Sequence, residues 1–530
     1  MELHLKDHYQ WVVLGDHPGA LMSAALMSAA GFSVVVLPLS PSSLATVSDT
    51  QQFIDHESNF LLGLDQVGGQ AGFLQMLFRR LGWKDLEFEK VFVDDQVLPE
   101  IVTPNYRFGI RKEDAALKRE IVRELGESAA EESGLVEALK LTEKLGIPFW
   151  RDLPLLLLEQ SESKRPGKRQ FKVQRAIDRF RLELQKQMHQ LPKTSRRWFQ
   201  NRPLQSSQSF EELLQGLHYS VTSSLEDQPN AVDLIQLMAL TRTGGALKGG
   251  MTAFRDLLFQ QAKRLGASVP KEIQCQRIFI ESGRLVGVQV THKGKMISVE
   301  GGILGCSINH AKEFFYFSGE QKRHRLKEPP KPLGWKFSIA LTVHEKAIPE
   351  GMRSRLIWKE QGAPFIEVEV GDPNAYEFGD PSHRFLFLRT ILPYSSESIE
   401  PEYQRNVAIR MFRQLREVIP FLDFHVVQVF PDFREAVGPN SEDPFKKTYG
   451  FLSPEFIPEN LRVYSARSGL GFHSGLKGLY VGSGEAYPNL GNFGPMIAAI
   501  ESTCEFALNQ EHSQAEGGAD QLRAFWQAPL

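Results

Sequence analysis

The chain has 530 residues, which at about 100–200 residues per domain gives roughly two to four domains. Hydrophobic residues make up 42% and charged residues 24%, a globular composition able to bury a core. The 61 Lys and Arg against 64 Asp and Glu leave a net charge of −3, which argues against a protein whose main work is binding nucleic acid. Cys275, Cys306 and Cys504 lie far apart, with no CxxC and no HExxH pair. Neither a disulfide framework nor a metal site is therefore expected, and a reducing, cytoplasmic setting is the default. The N-terminus shows no secretory pattern.

The chain opens as strand, turn, helix, turn, strand. Residues 11–14 read as a buried parallel strand, 15–19 as a turn, 20–30 as a helix capped by Gly31, and 33–37 as a second strand. No Asp, Glu, Lys or Arg occurs from His17 to Ser48. Gly31 and Pro38 punctuate that stretch, so a βαβ unit fits it better than a membrane span. Residues 112–144 read as charged and helical. Residues 164–202 are strongly basic, with Val173, Ile177, Phe180, Leu184, Met188 and Leu191 on one helical stripe. The segment reads either as a lid helix with solvated charges or as a helix lying on an anionic membrane surface.

Residues 211–238 are helical. Lys248-Gly249-Gly250-Met251 then forms a turn into a helix over 252–265, followed by short strands around 278–280 and 286–290. Residues 335–394 alternate as an antiparallel sheet, 402–418 form a helix, and 479–481 form a strand before a Gly-rich turn and a helix over 495–508. The last twenty residues read as a loose tail.

A dinucleotide-binding turn needs a first glycine for the tight bend, a second for approach of the pyrophosphate and a third for helix packing, with an acid ending the next strand to hold the ribose. This frame gives Gly15, His17 and Ala20. His17 puts an imidazole in the path of the pyrophosphate. The acid position falls on Pro38.

Four segments in order carry a resemblance. They are Val12-Val13-Leu14-Gly15 through Leu37; Lys248-Gly249-Gly250-Met251-Thr252-Ala253-Phe254; Lys263-Arg264-Leu265-Gly266-Ala267 through Val286-Gly287-Val288 to Gly305-Cys306-Ser307-Ile308-Asn309; and Gly478-Leu479-Tyr480-Val481-Gly482-Ser483-Gly484 with Pro488 to Pro495. Together they resemble the phytoene desaturase and retinol saturase-like branch of the FAD-dependent oxidoreductases, which is related to amine oxidases.

The resemblance implies an α/β fold: a Rossmann-type FAD/NAD(P)-binding domain over 1–105, 236–325 and 465–530, interleaved with an antiparallel-sheet plus helix substrate domain over 106–235 and 326–464. It implies FAD held by Gly15, His17, Gly19, Ala20, Gly249, Gly250, Met251, Ile273, Gly482, Ser483, Gly484, Gly491, Asn492, Phe493 and Gly494. It also implies hydride transfer to or from an apolar, polyene- or isoprenoid-like substrate in an elongated apolar pocket between the 335–394 sheet and the 205–240 helices. No catalytic acid–base pair is assigned.

The departures point to weak FAD binding: His17, Pro38, Leu39-Ser40-Pro41-Ser42-Ser43 in place of a Gly-Gly-Arg turn, and Ser483-Gly484 where the family has an acid or alanine. Glu485 stands one residue away from that acid position. The rival expectation is a flavin-free relative that binds a lipid or prenyl group or serves as a partner subunit, as Rab GDP-dissociation inhibitors do on such a scaffold.

Overall fold

A computed structural model of the chain describes residues 5–39, 60–61, 73–83, 92–93, 97–104, 106–125, 133–159, 182–183, 186–187, 212, 215–216, 218–220, 222, 241–242, 244–247, 250–270, 272–318, 326–328, 330–360, 364–371, 382–434, 443–451, 453–457, 461–465, 469–511 and 518–528. The basic segment 164–202 lies outside the described residues except at four positions, and so do most of 205–240, residues 40–43 and Gly249.

Strand β1 (His8–Gly15) is an apolar run buried on both faces, as a central parallel strand requires. Helix α1 (Pro18–Ala29) starts with a proline, whose missing N–H costs nothing at that position. Its residues from Pro18 to Ser28 are all buried, so it is a helix packed on every side rather than an amphipathic one. It ends in a Schellman motif. Gly31, at φ +87°, donates to Ser28 O at 3.0 Å, and Phe32 donates to Met27 O at 3.0 Å. The chain then enters β2 (Val34–Leu37), parallel to β1.

After α2 (Phe73–Arg80), strands β3 (Val97–Val102) and β4 (Arg107–Arg111) form a hairpin. Helices α3 (Asp114–Leu125), α4 (Ser133–Glu159) and α5 (Gly250–Arg264) follow. Strands β5 (Cys275–Glu281), β6 (Arg284–Val290), β7 (Met296–Gly305) and β8 (Phe315–Phe317) complete the first sheet's middle portion. Strands β9 (Pro332–His344), β10 (Arg355–Trp358), β11 (Ile366–Gly371) and β12 (His383–Pro393) lead to α6 (Pro401–Val418) and then to β13 (Val426–Phe430). The chain closes with β14 (Arg462–Tyr464), β15 (Leu479–Val481), α7 (Gly494–Glu511) and α8 (Gly518–Gln527).

The first sheet runs β8-β5-β6-β7-β1-β2, with β15 also on β7. Strands β2, β1, β7 and β15 are parallel neighbours, in register Leu14↔Leu37, Leu14↔Leu304 and Leu304↔Val481. This is a Rossmann-type arrangement in which the first, middle and last thirds of the chain meet in one sheet, as the four ordered segments predict.

The second sheet runs β13-β9-β12-β11-β10-β3-β4, with β14 on β9. One face packs on α6 through Phe337, Ile339, Leu341, Val368, Leu386 and Leu388. Strand alternation sends the neighbours of those residues to the opposite face. There Arg355 Nε meets Glu367 Oε1 at 2.6 Å, and Arg389 Nη1 meets Glu369 Oε2 at 2.5 Å; all four residues are buried. Burial alone would raise the Glu367 carboxyl, and the two guanidiniums bring it below its ordinary value.

The described part of the 205–240 segment covers these ions. Ser220 O accepts from Arg355 Nη2 at 2.5 Å, and the Tyr219 ring stacks on Phe365 at 5.0 Å. Ala340, Phe385 and Phe387 share that face with the ions, with Phe430 packed against them, and most of the 205–240 wall of the expected apolar pocket lies outside the described residues.

The end of the chain also corrects the sequence reading. Residues 518–527 form α8, with Leu522 and Trp526 one turn apart and buried. Arg80 Nη1 donates to Phe525 O at 3.1 Å and to Ala528 O at 2.7 Å, which ties α8 to α2. Among the described residues, no helix is long and apolar enough to cross a membrane.

The end of β7 packs tightly on the start of α1. A Cβ on Gly305 would lie 2.9 Å from Ala20 Cβ and 3.1 Å from His17 N. Gly305→Ala is therefore expected to destabilise the protein by about 1–3 kcal/mol in chemical denaturation. An unchanged midpoint would contradict this packing.

Candidate cofactor site

The carboxyl ends of β1, β7 and β15 stand side by side, the place where an open parallel sheet binds ligands. Gly15 leaves β1 at φ +102°, and a Cβ there would fall 2.6 Å from Gly305 O. Only glycine meets both demands. His17 is the N-cap of α1, with φ −61° and ψ 138°, and its carbonyl accepts from Leu21 N at 3.0 Å to close the first turn.

The His17 side chain turns back on its own helix, where Nδ1 accepts the Gly19 N–H at 3.3 Å. A backbone N–H can only donate, so this bond assigns the tautomer: Nδ1 is bare and Nε2 carries the proton. A helix N-terminus attracts anions because its first N–H groups lack partners and its dipole is positive there. Here one of those N–H groups is already taken by the imidazole.

The neighbouring walls are close. A Cβ on Gly19 would lie 2.5 Å from Pro495 O and 2.7 Å from Gly482 O, so the starts of α1 and α7 nearly touch. Gly482 reaches Ala20 N in the same way, at 3.3 Å. Thus Gly15, His17, Gly19 and Ala20 do come together with Gly482 and the start of α7. At the end of β2, Pro38 O accepts from Cys275 N at 2.9 Å and has no side-chain acceptor to offer a ribose.

The C-terminal turn is mixed. Ser483 is 2% exposed, and its buried Oγ has no hydrogen-bond partner. Gly484 is exposed, and a Cβ there would meet nothing within 4 Å. Glu485 is fully buried and turned inward. Its Oε2 accepts from Ile308 N at 3.1 Å, at the start of the one-turn helix Ile308–Ala311, and its Oε1 lies 3.4 Å from Tyr464 OH. It does not stand in for the missing ribitol acid.

Gly491 takes φ 53° and ψ −135° in the turn Pro488–Phe493, and Asn492 beside it is half-buried. Gly494 packs against the Tyr487 carbonyl. Phe493 is buried edge-on to Phe73 at 5.6 Å, while Met251 and Ile273 lie in the hydrophobic core around the first sheet. Gly250 opens α5 at φ +72°. Among the described residues, no group of three or more His, Cys, Asp or Glu is placed to hold a metal ion.

The residues present fit FAD only in part. At the motif's pyrophosphate position His17 takes up the Gly19 donor, and at its ribose position Pro38 offers no acceptor side chain. The ribitol position keeps a buried hydroxyl in want of a partner.

No protein-family model matches the chain. No curated protein matches it either. Among solved structures, an oxidoreductase from Methanosarcina mazei is 15% identical, with 92% of this chain and 99% of that chain covered and a TM-score of 0.47. A myxobacterial FAD-dependent halogenase is 11% identical over 98% and 78%, with a TM-score of 0.43. A Rab GDI from Plasmodium falciparum is 12% identical over 80% and 88%, with a TM-score of 0.39. None is similar enough to lend this chain an activity.

Behind the turn lies a titratable cluster that the sequence reading missed. Tyr487 OH donates to Glu501 Oε2 inside the protein. Burial pushes the Glu501 carboxyl well above its ordinary value, and Glu505 adds to the rise. His473 lies 3.5 Å from Glu505, yet burial and the charge of Lys327 bring it down to about 4, so the imidazole is neutral and the contact is not an ion pair at neutral pH. The signal was visible in sequence: Glu501 directly follows the apolar run Met496-Ile497-Ala498-Ala499-Ile500.

The sign of the pH effect follows. The native state keeps a proton on Glu501 that the unfolded chain releases above 4.5. This contribution is full below that pH and is lost as pH rises toward the native value. Glu501→Gln keeps an acceptor for Tyr487 and cannot ionise. Its stability relative to the parent should grow by up to about 1.4 kcal/mol per pH unit above the glutamate range, measured by denaturation across pH. A constant difference would contradict a protonated Glu501.

Proposed function

We propose that the chain uses the Rossmann-type architecture for binding, without a resident flavin: a pseudo-oxidoreductase that holds a lipid or prenyl group or serves as a partner subunit. The single observation that carries this reading is the His17 Nδ1 bond to Gly19 N–H at 3.3 Å. It fills the start of α1 with a neutral side chain where a pyrophosphate would need both space and that donor. Pro38 removes the ribose acceptor at the same time. Two lost contacts at about 1–2 kcal/mol each weaken FAD roughly 30- to 1000-fold.

One observation favours a second reading, the FAD-dependent oxidoreductase. Ser483 Oγ is buried without a partner at the ribitol position, beside the open Gly484. Under that reading Ser483 and the α7 N-terminus would hold the cofactor, and FAD would supply the hydride chemistry. The substrate class that goes with it, an apolar polyene or isoprenoid, would meet a mixed face, with Arg355, Glu367, Glu369 and Arg389 beside Ala340, Phe385 and Phe387.

Visible absorbance separates the two. The purified protein is expected to carry little flavin and to gain little when FAD is added. The double variant His17→Gly with Pro38→Glu is expected to gain flavin occupancy. Stoichiometric flavin in the unmodified protein would overturn the binding reading and support the oxidoreductase.

A further inference from the structure

We propose that the loop between α6 and β13 is the self-association surface of this chain, and that its occupant is the same loop of a second copy. Phe421 and Phe424 are 74% and 82% exposed, and Val427 beside them is also exposed. Large apolar side chains this open on one loop mark an interaction surface.

The backbone makes the point sharper. Phe421 sits at φ 65° and ψ 14°, the left-handed region that a bulky residue enters only at an energetic cost. That cost is not offset by burial of its ring within the chain. The ring is held out into solvent by a strained main chain, while Leu422 next to it is buried and anchors the loop.

The charges choose the partner. A concavity of about 360 Å³ between the two rings is lined by Arg413, Arg416, Glu417 and Asp423. Arg416 Nη2 lies 2.8 Å from Asp423 Oδ2. Two cations and two anions leave the patch without net charge, so it has little to attract an anionic lipid surface. Arg416 and Asp423 pair within the chain, and a two-fold interface, which sets a patch against itself, would bring Arg413 of each copy to Glu417 of the other. A ring from one copy can enter the concavity of the other, with Arg413 facing Glu417 across the axis. The patch is small, so a weak dimer is expected, with a dissociation constant on the order of micromolar.

Sedimentation velocity of the full chain across the micromolar range tests this. The parent is expected to pass from monomer to dimer. Phe424→Ser should weaken the dimer at least about tenfold. Phe421→Gly should do the same while keeping or raising the melting temperature, because glycine tolerates the positive φ. Arg413→Glu and, separately, Glu417→Arg should each weaken self-association, and mixing the two should restore pairing. A parent that stays monomeric throughout would overturn the proposal. So would a dimer indifferent to both phenylalanine variants, or charge variants that fail to pair when mixed. Phenylalanine-dependent binding of a monomeric chain to phosphatidylserine vesicles would also overturn it and assign the loop to a membrane.

Discussion

The turn between β1 and α1 is pinned from three directions, and the rest of the site follows from that. Gly15 lies against the Gly305 carbonyl, Gly19 against the carbonyls of Pro495 and Gly482, and the His17 imidazole on the Gly19 N–H. Each contact is made by the backbone or by a residue bonded to its own helix. Together they lock the first, middle and last parts of the first sheet at the edge where a parallel sheet has its greatest capacity to bind anions. Stability and cofactor binding compete for the same N–H groups, and here the protein has used at least one of them on itself.

The second sheet extends this pattern. One face packs on α6, and the other carries Arg355, Glu367, Glu369 and Arg389 in mutual contact beside the apolar Ala340, Phe385 and Phe387. Buried ion pairs of this kind lose on desolvation much of what they gain by attraction, so they are weak evidence for stability. Removing one partner would nevertheless leave an uncompensated charge in the interior. The network ties the 218–220 segment to the sheet through Arg355 and Ser220 O, beside the stacked rings of Tyr219 and Phe365.

Much of the fold was legible in the sequence because its signals are local and periodic. The run Val12-Val13-Leu14, the Gly31 stop and the strand at 479–481 carry their own spacing, and parallel pairing among them follows from a βαβ start. Other features depend on tertiary position. The alternation at 366–370 announces a strand but not which face meets a helix, nor that Glu367 and Glu369 meet Arg355 and Arg389 on the other. Leu522 and Trp526 are too few apolar residues to announce a helix without Arg80 to anchor it. Ser483 and Glu485 stand two residues apart, and only the fold shows that the carboxylate serves Ile308 while the hydroxyl has no partner. The reading of His17 as an obstacle was available from the motif alone. That the ring would bond its own helix was not, because it depends on the rotamer.

The central claim is that His17 closes the start of α1, and the ring nitrogens report on it directly. Nitrogen-15 spectra of protein labelled at histidine, recorded at neutral pH with and without excess FAD, separate the tautomers. The account predicts an unprotonated Nδ1 and a protonated Nε2 for His17, unchanged by FAD. A protonated Nδ1, or conversion of the ring to imidazolium when FAD is added, would contradict it.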